Sequence, residues 1–425
     1  MTKLIQQSTD ANIISRVVSN FYETHPYPPP VTNLDNYSHQ WTNERRRADY
    51  YLFWPFEPYR DDFNILVAGC GTSQAAKYAM RWPNAKVTGI DVSSNSIRHT
   101  EKLKHTYKLN NLTVKQLPVE QATELGQEFD HIVSTGVLHH LPDPDSGLRS
   151  LHDILAPGGA MHLMVYAPYG RAGVYLLQEY CRRLGIGTSS AEIQQLTQSL
   201  QALPPDHPLI PLLRHAPDFK DEAGIADALL HPQDRAYSVP EFMDFLTRAG
   251  FQFGRWIRQA PYLPQCGVLA SSPHSALLEQ LPVSEQYAAV ELFRGTMVRH
   301  SAVVYRNEPA SHQQISFNSD SWLDYTPIRQ PGTIAIEERL PPGSAAVLIN
   351  RNHTYTDIYL PITTGQKALY DLIDGQQTIR VIMDRIGNNT ANESLQENIR
   401  RFFEILWQYD QIVIDASGSR RASTS

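Results

Sequence analysis

Residues 65–73 read Ile-Leu-Val-Ala-Gly-Cys-Gly-Thr-Ser, and twenty residues past Gly71 a second short apolar run stops at Asp91. An apolar run that meets glycines at once is a buried parallel strand turning into a helix. The glycines let backbone N–H groups approach a ligand that a Cβ would hold away. An acid closing the next strand is placed to accept hydrogen bonds from the two hydroxyls of a ribose. The chemistry predicted is the binding of a nucleoside-bearing cofactor across the first two strands of an open α/β sheet.

A dinucleotide fingerprint needs G-x-G-x-x-G, and the third glycine position here holds Gln74, so nicotinamide and flavin dinucleotides are disfavoured. Farther on comes Glu128-Phe129-Asp130-His131-Ile132-Val133-Ser134-Thr135-Gly136-Val137-Leu138-His139-His140-Leu141-Pro142, then a helical stretch, then Pro157-Gly158-Gly159 and another strand. With these four pieces in order, residues 61–170 resemble the class I S-adenosylmethionine-dependent methyltransferases. The resemblance implies a seven-stranded Rossmann-like sheet and S-adenosyl-L-methionine as cofactor. It places Ala68, Gly69, Cys70 and Gly71 at the turn, Asp91 and Val92 at the ribose, Glu120 and Gln121 at the adenine, and Thr135 and Gly136 after the fourth strand. Cys70 is read as a small packing residue of the turn. Two departures stand out: Val67 replaces the acid usual before the first glycine, and Ser73 replaces a usual glycine. The methionine end of the cofactor then needs other partners, and Arg45, Arg46, Arg47, Tyr22 and Tyr27 are the candidates.

Methyl transfer from a sulfonium is an in-line displacement, so the enzyme must align the reacting atoms and supply a base where the acceptor carries a proton. His139 and His140, after the fourth strand, are candidate bases, although V-L-H-H-L also fits a turn held by hydrogen bonds. Tyr166, after the fifth strand, is a candidate contact to substrate or sulfonium, and Arg171 a candidate for a substrate carboxylate or phosphate or else a surface residue. No Cys/His/Asp grouping has metal-ligand spacing, so no metal is expected.

The elements that position these residues follow from periodicity. Strands are expected at 63–68, 86–90, 112–116, 129–134 and 160–166, with helices at 73–82, 94–108 and 146–155. Residues 170–235 read as a helical, proline-punctuated insertion beside the carboxyl edge of the sheet. Ser238 and Glu241 form a capping box, Phe251 to Ile257 alternates as a strand, and a helix near 284–295 precedes a last strand from Met297 to Tyr305. Residues 1–60 form a helical and aromatic lead-in, Tyr50 to Phe56 included, read either as a lid over the cofactor or as a cap on the sheet edge. The class I domain is placed at 61–307, a linker at 308–345, a small α+β module at 346–416 and a disordered tail at 417–425. That module resembles winged-helix or PqqD-like peptide-recognition domains, but Arg400 and Arg401 are offset by Glu393, Glu397 and Glu404, against a DNA partner.

With 425 residues the chain exceeds one minimal α/β domain. Its net charge of −7 advertises no nucleic acid, its three scattered cysteines allow no disulfide framework, and no apolar run reaches membrane-spanning length. A cytoplasmic enzyme is expected, methylating a small molecule. The alternatives are a peptide or protein acceptor delivered by the C-terminal module, and a cofactor-binding sensor with an inert transfer site. The residues do not choose an acceptor atom or an oligomeric state.

Overall fold

The computed structural model describes residues 2–216, 219–308, 313–386 and 393–419, with the side chains of 2–12 left aside. In chain order the first elements are α1 (Thr2–Thr24), α2 (Asp35–Ser38), α3 (Asn43–Phe53), β1 (Asn64–Ala68), α4 (Gln74–Arg81), β2 (Lys86–Asp91), α5 (Ser94–Tyr107), β3 (Leu112–Gln116) and β4 (Phe129–Thr135). Then follow α6 (Pro144–Asp153), β5 (Leu155–Tyr166), α7 (Ala172–Leu184), α8 (Ser190–Leu200), α9 (Ile210–His215), α10 (Glu222–Leu230) and α11 (Val239–Arg248). The rest are β6 (Phe251–Trp256), α12 (Ser275–Glu279), α13 (Val283–Arg294), β7 (Arg299–Arg306), β8 (Thr326–Arg329), β9 (Thr333–Ile336), β10 (Ala346–Asn350), β11 (Leu360–Ile362), α14 (Thr364–Asp371), α15 (Ile379–Arg385), α16 (Glu393–Gln408) and β12 (Ile412–Asp415).

The chain divides into two compact units. Unit 1 holds residues 1–38, 61–253 and 291–307; unit 2 holds 39–60, 254–290 and 308–425. A seven-stranded sheet in the order β3-β2-β1-β4-β5-β7-β6 organises unit 1. Strands β3 to β5 run parallel and β7 pairs antiparallel with β5. Chain order reverses between β1 and β4, the switch point where open α/β sheets bind ligands at their carboxyl ends. Ile65, Leu66 and Val67 on β1 and Ile132 and Val133 on β4 are fully buried, the continuous apolar run of a strand covered on both faces.

Helix boundaries follow local capping chemistry. The Ser93 side chain accepts from Ser96 N at the start of α5, and Asp143 does the same for α6, with Pro144 in the first turn, where a missing N–H costs nothing. Capping boxes start α8 (Ser189 with Glu192) and α11 (Ser238 with Glu241). The 170–235 insertion is helical, and α7, α8 and α10 bury Val174, Leu177, Ile193, Leu196, Ile225 and Leu229 in a core of their own.

Unit 2 contains a three-stranded antiparallel sheet, β11-β10-β9, a two-stranded antiparallel pair, β12-β8, and the three helices α14 to α16. Its core joins Phe56 to Trp322, Leu348, Tyr370, Ile382, Phe402, Phe403 and Ile414. Two corrections follow. The stretch read as a linker carries β8, β9 and a 3-10 turn at Asp320–Asp324, because Trp322, Leu323, Tyr325 and Ile328 supply apolar surface that the proline and serine content obscured. The aromatic stretch at 50–56, read as a lid or sheet cap, belongs to unit 2, where Phe56 packs in the core and Ala416 N bonds Pro55 O at 2.6 Å. The end of the expected disordered tail, residues 420–425, lies outside the described residues.

Candidate active site

At the end of β1 the backbone turns through Gly69 at φ +69° and Gly71 at φ +51°. A Cβ on Gly69 would sit 2.3 Å from a Val137 methyl, so close approach and left-handed geometry both require glycine there. Gly69 N and Cys70 N both bond Ile90 O at 2.9 Å, stitching the turn to β2. The Asp91 carboxylate finishes the junction: Oδ2 accepts from Gly71 N at 2.8 Å and Oδ1 from Ser93 N at 2.9 Å. Burial raises the Asp91 pKa, while the N–H groups of Ser93 and Gly71 work against that rise. The carboxylate thus faces the glycine turn, and each of its oxygens keeps a lone pair beyond these bonds.

Gln74 occupies the place of a third glycine and uses it: its Nε2 donates to Thr135 Oγ1 at 2.8 Å, tying the start of α4 to the end of β4. Gly136 follows at φ +79°. Ala68 and Cys70 are fully buried, and burial pushes the Cys70 thiol well up, which suits packing rather than reactivity. Glu120 lies on a 3-10 turn (Val119–Leu125) with Oε2 buried and unpartnered, and burial raises its pKa. Gln121 beside it is exposed, and Val92 O accepts from Gln116 at 3.0 Å.

The end of α1 and the segment after it lie along this edge. Glu23 caps α5 by accepting from Ser94 N and from Asn95 N (3.3 Å), while Asn95 Nδ2 donates to Glu23 O at 2.6 Å. Thr72 Oγ1 donates to Pro28 O at 2.9 Å, and Leu34 N donates to Tyr107 Oη at 2.6 Å. Of the candidates for the cofactor's methionine end, Tyr22 and Tyr27 fall in unit 1. The arginines fall in unit 2, where Arg45 lies over the Trp41 ring, Arg46 bonds Asn43, and Arg47 bonds Gly375 O (2.7 Å) and Asp415. Their own partners inside unit 2 account for all three.

Beyond β4 the chain forms a single 3-10 turn, Leu138–His140, and both histidines are buried. His139 stacks on Tyr166 (centroids 4.1 Å apart) and on His140 (4.2 Å), and His140 lies 4.0 Å from the His231 ring. Tyr166 also carries the Arg171 guanidinium 3.6 Å above its ring. Arg171 is buried and paired with Asp234 at 3.5 Å, which removes the surface alternative for it. Gln178 Nε2 donates to the same Asp234 oxygen at 3.0 Å, and Tyr22 Oη donates to Asp227 Oδ1 at 3.1 Å. Burial, then the charges of His140, Arg171 and His231, drives the His139 pKa well down. Burial and His140 take His231 down to about 2. Burial pushes Asp227 up to about 6 against the opposing pull of His140 and Tyr22.

His139, His140 and Tyr166, named from the sequence, are thus brought together with Tyr175, Asp227, His231 and Asp234, which the sequence did not single out. One signal was there: Asp227 is the single charge between Ile225-Ala226 and Ala228-Leu229-Leu230, an acid that an apolar helix must bury.

Residues 66–161 match the family model described as "Methyltransferase domain". This segment is similar to a methyltransferase domain. The seven-stranded sheet around it is of the Rossmann-like class I kind, whose cofactor is S-adenosylmethionine. The buried orphan oxygen of Glu120 and the side-chain-poor turn facing Asp91 fit an adenosyl group. An uncharacterized protein of Synechococcus, syc1184_c, is 29% identical over 253 residues, which cover 56% of this chain and 59% of that protein. The ubiquinone biosynthesis O-methyltransferase of Bordetella avium is 32% identical over 99 residues, 22% of this chain and 39% of that enzyme. The chain thus spans less than two thirds of the curated relatives it matches. In fold, the methyltransferase domain and its second unit are similar to PKMT2 from Rickettsia typhi, solved in complex with AdoHcy, at a TM-score of 0.62 and 17% identity over 92% of this chain and 77% of that one.

Proposed function

We propose that this protein is an S-adenosylmethionine-dependent methyltransferase that acts on a small-molecule acceptor beside the buried cluster of Tyr22, His139, His140, Tyr166 and Asp227. The observation that carries the reading is the 2.8 Å bond between the Asp91 carboxylate and Gly71 N, which sets an acid beside the glycine turn one strand over. S-adenosylmethionine bound there supplies a methyl group on a sulfonium with a neutral leaving group. Asp91 orients the ribose, Glu120 accepts from the adenine amine, and Gly69 and Gly71 keep the backbone close. Tyr166 is held in one pose by Arg171 and His139, so it is a fixed contact beside the histidines. The buried histidines serve acceptor activation, and their exclusion from solvent strengthens every polar contact to the acceptor. The burial of His139, His140 and Asp227 favours a small acceptor over an extended chain. For unit 2 we keep the reading of a winged-helix-like recognition module, supported by its three helices and antiparallel pairs; Arg400, held by Glu397 and Glu404, offers little charge to a nucleic acid.

Calorimetric titration with S-adenosylmethionine and S-adenosylhomocysteine tests the shared step. Asp91→Ala is expected to weaken both by about 1–3 kcal/mol. Unchanged affinity in that variant overturns the placement of the site. Turnover of radiolabelled methyl donor against cell extract fractionated by mass then finds the acceptor, and label appearing only in the protein fraction overturns the small-molecule reading.

A further inference from the structure

The cluster around His139 holds more buried polar atoms than its own hydrogen bonds satisfy, and their chemistry sorts them. Both ring nitrogens of His139, itself fully buried, lack a hydrogen-bond partner, and so does Oδ1 of Asp234, whose side chain is 2% exposed. Groups left unpaired at this depth cost on the order of 1–3 kcal/mol each, which a bound ligand would recover. His140 adds a third acceptor. Its Nδ1 lies 2.8 Å from the Gln233 carbonyl, a contact that only Nδ1–H can make, so Nε2 carries the lone pair. An imidazole with one nitrogen donating to a backbone carbonyl is the outer-shell arrangement of metal-ligating histidine. Ligand atoms of His139, His140 and Asp234 lie within 4.8 Å of one another.

A second grouping, His140 with Asp227 and His231, meets the same distance but fails on protons. His231 Nδ1 accepts from Gln233 N at 3.0 Å, which puts the ring proton on Nε2. That nitrogen is buried, unpartnered and a donor, so it can meet a ligand's oxygen but not a cation. Tyr22 already occupies Asp227 Oδ1.

We propose that His139, His140 and Asp234 form a binding site for one divalent cation of the zinc class, with the fourth coordination position left for an acceptor. Two imidazoles and a carboxylate with a vacant coordination position is the donor set of catalytic rather than structural sites. Asp234 is suited to the task. Its Oδ2 is already held by Gln178 and Arg171, which fixes the carboxylate, while Oδ1 stays free. Two buried carboxylates, Asp227 and Asp234, offset the combined charge of the cation and Arg171. Unpaired donors (His231 Nε2–H, Tyr175 Oη) stand ready for an oxygen or sulfur on the ion. The role, which rests on the methyltransferase reading, is to hold an acceptor hydroxyl or thiol and favour its deprotonated form.

The test uses the full chain, prepared without an affinity tag and dialysed against chelator. Cobalt(II) is added and followed by visible absorption, and zinc(II) by calorimetry. One ion per chain, bound to wild type and weakened at least about 100-fold in His140→Ala and Asp234→Asn, with His231→Gln unaffected, is the expected result. S-adenosylhomocysteine affinity, measured on every sample, reports whether a variant keeps its fold, and His139→Gln replaces any variant that loses it. Wild type that takes up no stoichiometric cobalt overturns the site, and so does cobalt binding that survives the His139, His140 and Asp234 replacements. Cofactor binding without metal binding refutes only this inference; metal binding without cofactor binding refutes only the methyltransferase reading.

Discussion

The residues that matter are those whose environment opposes their ordinary chemistry. Asp91 is kept next to backbone N–H groups that favour its charged form, although burial resists it. His131, on β4, shows the same opposition without a functional role. Burial takes its pKa down to about 4, although its Nδ1 bonds Ala160 O at 3.0 Å. The folded imidazole refuses a proton until about pH 4, while the unfolded one accepts it near about 6.5. Its contribution is therefore complete above pH 6.5 and is lost as the pH falls through that window. Wild type is expected to lose about 2 kcal/mol more than His131→Phe between pH 7.5 and pH 5. Urea unfolding at the two pH values checks it, and equal losses in both proteins would refute it. The Phe63 and Tyr78 rings beside His131 make phenylalanine a suitable replacement.

Elements place these residues, and their ends do most of the placing. The N-terminus of α5 takes its cap from two sources: Ser93 in its own chain direction and Glu23 from the last turn of α1, just before the segment that follows it. An acid at a helix N-terminus satisfies orphan N–H groups and complements the helix dipole. Because the same segment reaches Thr72 on the cofactor turn, releasing Glu23 is expected to loosen the cover over the site more than the site itself. Glu23→Ala should cost about 1 kcal/mol at the cap and raise the dissociation rate of S-adenosylhomocysteine several-fold, with a smaller change in its association rate. Stopped-flow release in wild type and variant measures this, and an unchanged rate would exclude a covering role. The capping boxes at Ser189 and Ser238 were legible from S-x-x-E spacing alone, since they need only residues three apart.

At the scale of the whole molecule, the chain is not a string of consecutive domains. Unit 2 draws on residues 39–60 and 254–290 as well as the C-terminal third, so its core is discontinuous in sequence. Cutting the chain near residue 340, which a linear plan would recommend, removes Leu348, Ile382, Phe402 and Phe403 and leaves Phe56 without its core. Such a truncation is expected to give an aggregation-prone protein rather than a working small-molecule enzyme, because exposed apolar surface drives association. Size-exclusion chromatography of the truncated and full chains decides the matter, and a monodisperse, cofactor-binding fragment would refute it.

The sequence by itself determined the strands of the seven-stranded sheet, the glycine turn, Asp91 and the helix starts, since each of these depends on residues close in the chain and on backbone constraints that act locally. Tertiary structure alone decided which side chains gather around His139. Tyr22 and Asp227 are 205 residues apart when they bond, and the proton positions on His140 and His231 are set by Gln233, far from both candidate bases in the motif. Burial and long-range pairing create those properties, and apart from the lone acid in the apolar run of α10 neither leaves a period or a spacing for a reader of the chain to find.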